Sequence, residues 1–540
     1  MRKILFSSAA LALLAFSPTA VYAQKAVSDA GVEELRRVID EAVAFELDIS
    51  KKTGQVLQMS SPPQITNKGS YYEVRLPDVN YNYPDIGNIE VGTVVLNVTH
   101  GKTDDEYLAS MALQPTMTFK SAERAGEQSG AAQSETVTLN IGKQKFAMAW
   151  QASLQFPTRV DAEYGDLKLT VDGKEPFSST LQDMRFISNL QPDKDGMWTG
   201  PMEFEARNLK ANFSPSELSG PGEARLERFY TKTDYTALDL GIRLQSKKKM
   251  RDLVTEAGDK PVENAEAVLG ALLQDGYVMF SDAKTELQFQ KFAADVQPLP
   301  PKEGQTPEKP RALRLDEFSS FIDMAGLRSD NGKIAARISL KELMGTNLVA
   351  PDSAGYLPQN ANVELFLENM PMQSLYKAFA ALATEGLRAS KMAEDAAARG
   401  QPHNLPRHHE SQVMAAAMAL PQMLQNSGAS ISVRNTFIRA PEISTKLFGD
   451  FKAVKGAPRV GAGELTMVIQ GLDELLSKLE ADQSRQSRRA LSGLSFLQVL
   501  GQQDTEDGKP IRRYVFKVDE IGKMTLNGTE IGALMGGLPQ

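Results

Sequence analysis

Imidazole is the scarcest acid–base group in this chain. His100, His403, His408 and His409 are its only histidines, and cysteine is absent. Without thiols there is no disulfide, no thiolate nucleophile and no cysteine-based zinc site. The last three histidines lie in His403-Asn404-Leu405-Pro406-Arg407-His408-His409, a spacing from which imidazoles can bind zinc, nickel or copper. Pro402 and Pro406 place them in a connecting loop, and Glu410 is the one nearby carboxylate. Little fixes ligand geometry there, so a solvated loop is the reading and no metal is expected.

A Ser–His–Asp triad would have to draw on His100 or on that loop, and nothing in the spacing supplies the geometry that defines a triad. Gly-x-Ser-x-Gly, His-Glu-x-x-His and a Ser-x-x-Lys set with its companion motifs are missing. Gly461-Ala462-Gly463 precedes a strand, whereas a dinucleotide loop follows one and opens a helix, so it reads as a turn. No catalytic, cofactor-binding or metal-binding residue is expected, and the chain reads as non-enzymatic. A hydrolase with unrecognised catalytic residues is the outlying alternative.

Three further features have ordinary readings. Asn97, Asn212 and Asn527 begin Asn-x-Ser/Thr triplets; the Met-Arg-Lys start, short apolar core and Ala23-Gln24 look like a bacterial export signal, and in that setting the triplets read as chance matches. Lys247, Lys248, Lys249 and Arg251 could touch anionic headgroups, but three or four charges more often make a solvated helix face. Met414, Met418 and Met423 lie on an apolar segment that suits core packing, or else an adaptable ligand surface.

These groups must be held by a chain of 540 residues, 41% apolar and 24% charged, which is enough to build a large core. Its start has the three parts of a secretory signal: Arg2 and Lys3, an apolar run over 4–16, and Val21-Tyr22-Ala23 for cleavage after Ala23. The run is too short to span a membrane. The expectation is a periplasmic protein with no transmembrane anchor after cleavage. Removing the signal leaves 58 basic against 68 acidic residues, which disfavours nucleic acid as a partner.

Residues 29–48 predict an opening helix, capped by Ser28 or Asp29, with Val32, Leu35, Ile39 and Val43 on one face. From about 55 to 245 apolar and polar residues alternate as in strands with one wet face, as at 71–76, 93–98, 135–141 and 166–171. A hairpin turn is expected at 171–174, a helix at 250–273 and a strand at 276–292. Five prolines in 297–310 mark an extended linker. Beyond it helices are expected at 372–399, 409–426 and 471–481, and a closing hairpin joins 512–518 to 523–526. A strand running straight into a helix recurs at 238–255, 334–344, 363–382 and 465–479. The boundaries that follow are a signal peptide at 1–23, a β-rich half with its opening helix at 24–297, a Pro-rich linker at 298–310 and an α+β half at 311–540.

Several of these stretches resemble uncharacterised domain-of-unknown-function proteins of Gram-negative envelopes, distantly similar to AsmA-like proteins. The resemblance is carried by Leu365-Phe366-Leu367-Glu368-Asn369-Met370-Pro371 before a helix, by 428–437, by Ile469-Gln470-Gly471-Leu472-Asp473, and by the ending that runs through Tyr514-Val515-Phe516 to Leu526-Asn527-Gly528. It covers mainly 311–535, and its motifs are structural. It implies an α+β fold with an extended, curved, mostly antiparallel sheet and flanking helices. It also implies a periplasmic role in lipid or envelope homeostasis. The AsmA-like pattern keeps a membrane anchor, which this reading lacks. The expected partner is a lipid or another apolar ligand held on an apolar sheet face; the alternative is an envelope protein paired to exposed sheet edges. Leu365, just before its helix, is expected in a closed core, and Val74 and Leu76 in an open groove.

Overall fold

The computed structural model describes residues 25–52, 56–83, 87–121, 135–173, 176–215, 220–257, 279–301, 308–348, 355–380, 382–383, 419–457, 461–481 and 485–531. The expected signal peptide and the His403–His409 loop lie outside them. Strands dominate, and the pairings that order both sheets are antiparallel. The chain forms two units, 1–280 with 293–310 and 281–292 with 311–540.

The first unit opens with α1 (Asp29–Lys52). Ser28 caps it: its Oγ accepts the Gly31 N–H at 3.1 Å. The strands follow as β1 (Val56–Gln58), β2 (Gln64–Asn67), β3 (Tyr72–Tyr83), β4 (Gly87–His100), β5 (Glu106–Ala112), β6 (Thr116–Ser121), β7 (Thr136–Gln151), β8 (Phe156–Asp172), β9 (Phe177–Asn189), β10 (Gln191–Pro192), β11 (Trp198–Phe213) and β12 (Gly222–Leu238). They pair nearly in chain order, β3 with β4, β7 with β8, β8 with β9, β9 with β11 and β11 with β12. The core sits where Leu35 and its neighbours on α1 meet Tyr72, Val74, Val98, Phe146 and Ala162 on the sheet. The expected strands at 71–76, 93–98, 135–141 and 166–171 fall within β3, β4, β7 and β8.

Residues 238–244 were expected to be extended, yet α2 runs over Leu240–Ala257. Asp239 decides this locally, because its Oδ1 accepts the Ile242 N–H at 3.0 Å as an N-cap. The helix expected to begin at 250 thus starts ten residues earlier, and 258–278 lie outside the described residues.

The second unit contains β13 (Asp282–Val296) as far as Phe292. It continues with β14 (Arg311–Ala325), β15 (Gly332–Lys341), β16 (Met344–Thr346), β17 (Asn360–Met370), α3 (372–380), α4 (419–427), β18 (Ser430–Arg439), β19 (Ser444–Ala453), β20 (Gly461–Gln470), α5 (Leu472–Ala481), α6 (Arg485–Leu500), β21 (Gln502–Glu506), β22 (Lys509–Val518), β23 (Met524–Leu526) and β24 (Thr529–Glu530). The sheet is a meander, β14–β15–β17–β18–β19–β20–β22, each strand antiparallel to the next.

Two of the four expected strand–helix pairs occur here, β17 into α3 and β20 into α5. The pair at 334–344 does not. Glu342 takes a left-handed φ of 51° after β15, and 344–346 return as β16 against Arg314. The Gly461–Gly463 turn is also corrected: these residues are β20 itself. A Cβ at Gly461 or Gly463 would collide with the carbonyl oxygens of Lys452 and Asp450 on β19, so the glycines permit close strand approach. Asn527 and Gly528, both at positive φ, make the tight β23–β24 turn that Asn-Gly favours.

Candidate apolar-ligand face

Directly paired residues in a sheet share a face, and so do residues two apart along a strand. On that basis one face of the second sheet is mainly apolar across the seven strands of the meander. Its first row is Met324, Ile334, Leu367, Ile431, Phe451, Gly463 and Val518. The next is Ile322, Ala336, Leu365, Val433, Gly449, Leu465 and Phe516. Further along, Ile338 faces Val363, and Leu340 faces Ala361, which faces Ile438. A bulge at Asn435, left-handed at φ 41°, lets β18 keep this face apolar from Val433 on one side to Ile438 on the other.

Among the described residues, helices cover one end of the face. There α5 and α6 bring Leu472, Leu476, Leu494, Leu497 and Leu500 onto Ile469, Met467 and Tyr514. Tyr514 Oη donates to the Leu497 carbonyl at 2.7 Å, and Arg512 binds Asp473 at 3.0 Å, so the helices are pinned as well as packed. Away from these helices Ile338 (47% exposed), Val363 (42%), Ile431 (40%) and Ile438 (48%) stay open. Large β-branched side chains exposed together on one face mark a binding surface more often than four separate accidents.

The opposite face is mainly polar, although Phe448 is exposed on it. Glu364 is buried and takes Arg337 Nε at 2.8 Å and Asn435 Nδ2 at 3.0 Å. Arg434 lies 4.6 Å over the Phe366 ring, and Lys341 pairs with Glu317 at 3.1 Å. Chemically, then, the unit offers one mainly apolar surface and one charged surface on which Glu364 and Glu317 are paired with Arg337 and Lys341.

The first unit holds the one described histidine. His100 is buried among Tyr72, Tyr107 and Gly31; its Nε2 lies 3.3 Å from Tyr72 Oη, and its Nδ1 has no partner among the described residues. Tyr72 Oη also accepts the Ser28 N–H at 3.0 Å, and Tyr107 Oη donates to Glu34 at 3.4 Å. Burial holds the His100 imidazole below its ordinary value and pushes Tyr107 up to about 12, while the bond from Lys25 lowers Glu34. This cluster joins α1 to the sheet, with its imidazole buried. On the polar face of the same sheet, Lys143, Lys145, Glu163, Asp183, Arg185 and Arg207 line an open groove of about 390 Å³. Lys143 pairs with Asp166 at 2.9 Å, Lys145 with Asp161 at 2.8 Å and Arg207 with Glu205 at 3.0 Å. The groove's cations are already neutralised.

Other residues singled out in the sequence have structural places. Asn527 Nδ2 donates to the Leu500 carbonyl at 2.7 Å, and its Oδ1 accepts the Val515 N–H, so it is a turn anchor. Lys248 and Lys249 are exposed on α2. Met414 and Met418 lie outside the described residues, and Met423 is on α4. The expected division between closed core and open groove is reversed: Val74 is fully buried under α1, whereas Leu365 is half-buried on the open face. Proximity to the next helix in sequence misled here, because Leu365 stays half-buried although α3 follows its strand directly. Among the described residues no three His, Asp or Glu side chains gather as metal ligands, and no helix is long and apolar enough to cross a membrane. No family model, curated protein or solved structure matches the chain.

Proposed function

We propose that this is a non-enzymatic envelope protein that holds a lipid or another apolar ligand on the open face of its second sheet. The observation that carries the reading is the exposure of Ile338, Val363, Ile431 and Ile438 on a face that is apolar from β14 to β19. From Phe318 to Met324 the face spans seven residues, about 20 Å of strand. One leaflet of a bilayer's hydrocarbon core is about 15 Å deep, so an extended acyl chain fits on the surface. Covering it would remove apolar area from water at about 25 cal/mol per Å², the only strong attraction this face offers. The expected export on a cleaved signal, and the resemblance to envelope proteins with curved sheets, agree with a lipid partner.

Native mass spectrometry of the protein recovered from the periplasm tests both parts together. The expected spectrum shows a chain beginning at Gln24 that carries an acyl lipid, released and identified on extraction. A ligand-free spectrum, together with no binding of a fluorescent fatty acid in solution, removes the proposal.

A further inference from the structure

We infer that α6 docks the protein on an anionic lipid surface. The inference extends the acyl-ligand reading, since α6 covers one end of the same sheet, but it stands on the other side of that helix. Leu491, Leu494, Leu497 and Leu500 pack toward Ile469 and Tyr514. At 3.6 residues per turn, positions 485, 488, 489, 492, 496 and 499 form a stripe on the side away from Leu494. The two described side chains at its end, Phe496 (53% exposed) and Val499 (82%), stand in water. They are one turn apart and so form a single apolar edge.

The sequence sets Arg485, Arg488 and Arg489 in the first two turns of that stripe, and α6 contains no Asp or Glu. The helix is thus locally basic within a chain of net charge −8. A helix facing only water gains nothing from an outward Phe and Val. A helix docking on a protein core would bury them without needing three arginines and no acid. Arginines followed by an aromatic and an aliphatic residue match what a membrane surface offers: anionic headgroups for the guanidiniums, and the acyl boundary for the ring. Docking there would bring the neighbouring apolar face to the place where acyl chains leave or enter a bilayer.

The test is co-sedimentation of the full purified chain with vesicles of phosphatidylcholine alone and of phosphatidylcholine with phosphatidylglycerol. The expected result is binding to the anionic vesicles only, weakened by salt. Replacing Phe496 and Val499 with Ser should abolish it, and Arg488→Gln with Arg489→Gln should weaken it roughly tenfold or more. Both pairs should leave the melting temperature and any co-purified lipid unchanged, because Phe496 and Val499 are exposed and positions 488 and 489 fall on the same side of the helical wheel, away from Leu494. Vesicle binding unchanged by the serine pair overturns the inference, as does equal binding to both vesicle types. A wild-type dimer that binds no vesicles, and that the serine pair turns into a monomer, overturns it in favour of a second copy. A wild-type chain that binds no vesicles while lipid still co-purifies with it sinks α6 docking and leaves the ligand reading standing. Vesicle binding without any co-purified lipid does the reverse.

Discussion

The sheet under α1 and the sheet carrying β14–β19 are built on one pattern and end in opposite states. In both, apolar residues occupy alternate positions and paired strands place them on a common face. Under α1 that face is closed, with Tyr72 and Val74 at 0% exposure and Phe146 at 1%. In the second unit, among the residues of that face, only Ile469, Tyr514 and Val518 are buried. Strand sequence therefore does not decide whether an apolar face is core or binding surface. What decides it is whether a helix with its own apolar stripe lies across it. α1 supplies Val32, Leu35, Val38 and Ile39 to the first face, while α5 and α6 reach only one end of the second.

The largest expected effect lies on the closed side. Phe146→Ala empties a buried site, 1% exposed, and should cost about 3–5 kcal/mol in urea unfolding. A loss below about 1 kcal/mol would mean that α1 does not seal this sheet in solution, and the contrast between the two faces would disappear.

Much of this architecture was legible in residue types. The capping by Ser28, the strands around 71–76 and 166–171, and the α5 stripe all follow from local rules that the fold does not override. What stayed hidden depended on partners distant in sequence. Leu365 and Val74 read alike, since each lies in an alternating strand, and only a helix arriving from elsewhere distinguishes them. Glu364 reads as a wet-face residue, yet Arg337 and Asn435 enclose it, because a bulge two strands away from Arg337 turns Asn435 toward it. Gly461 and Gly463 read as a turn because the neighbouring carbonyls that require glycine belong to β19. α6 went unrecognised, although leucines at every third position from 491 to 500 were there to find it.

A smaller effect should separate the two regions by pH. His100 faces Tyr72 and Tyr107 from the sheet, Lys25 and Glu34 from the α1 end, and Asp104 from its adjoining loop. Its imidazole is held below the ordinary value of 6.5, chiefly by burial. Above 6.5 both folded and unfolded chains are neutral there. As the pH falls through 6.5 only the unfolded chain takes the proton, so stability drops by up to about 1.4 kcal/mol per pH unit. The drop levels off once the folded state also protonates. Glu34, lowered from 4.5, loses its contribution only at still lower pH, so the window between 6.5 and 4.5 isolates the histidine. His100→Gln should flatten the slope of stability in that window. Parallel slopes for the wild type and the variant would mean that the imidazole is already solvated and that α1 opens readily.

The smallest expected change in stability is the most telling for function. Val363→Ala removes the same two methyl groups as Val74→Ala, from the same place in a strand pattern. Val74 is fully buried, so its truncation should cost the transfer of both methyls plus a cavity, about 2–3 kcal/mol. Val363 keeps 42% of its surface in water, so little is lost and no cavity forms; the cost should stay under about 1 kcal/mol. Ile338, paired directly opposite, should behave the same way. If the open face exists to be covered by a ligand, the missing area reappears in binding: the Ile338→Ala, Val363→Ala pair should weaken a fluorescent fatty acid several-fold, while Val74→Ala leaves affinity unchanged in the folded fraction. Equal stability losses at 74 and 363 would show that something covers the second face in solution. Equal affinities would show that apolar ligands do not use it. In both results the two sheets would differ in exposure without differing in purpose.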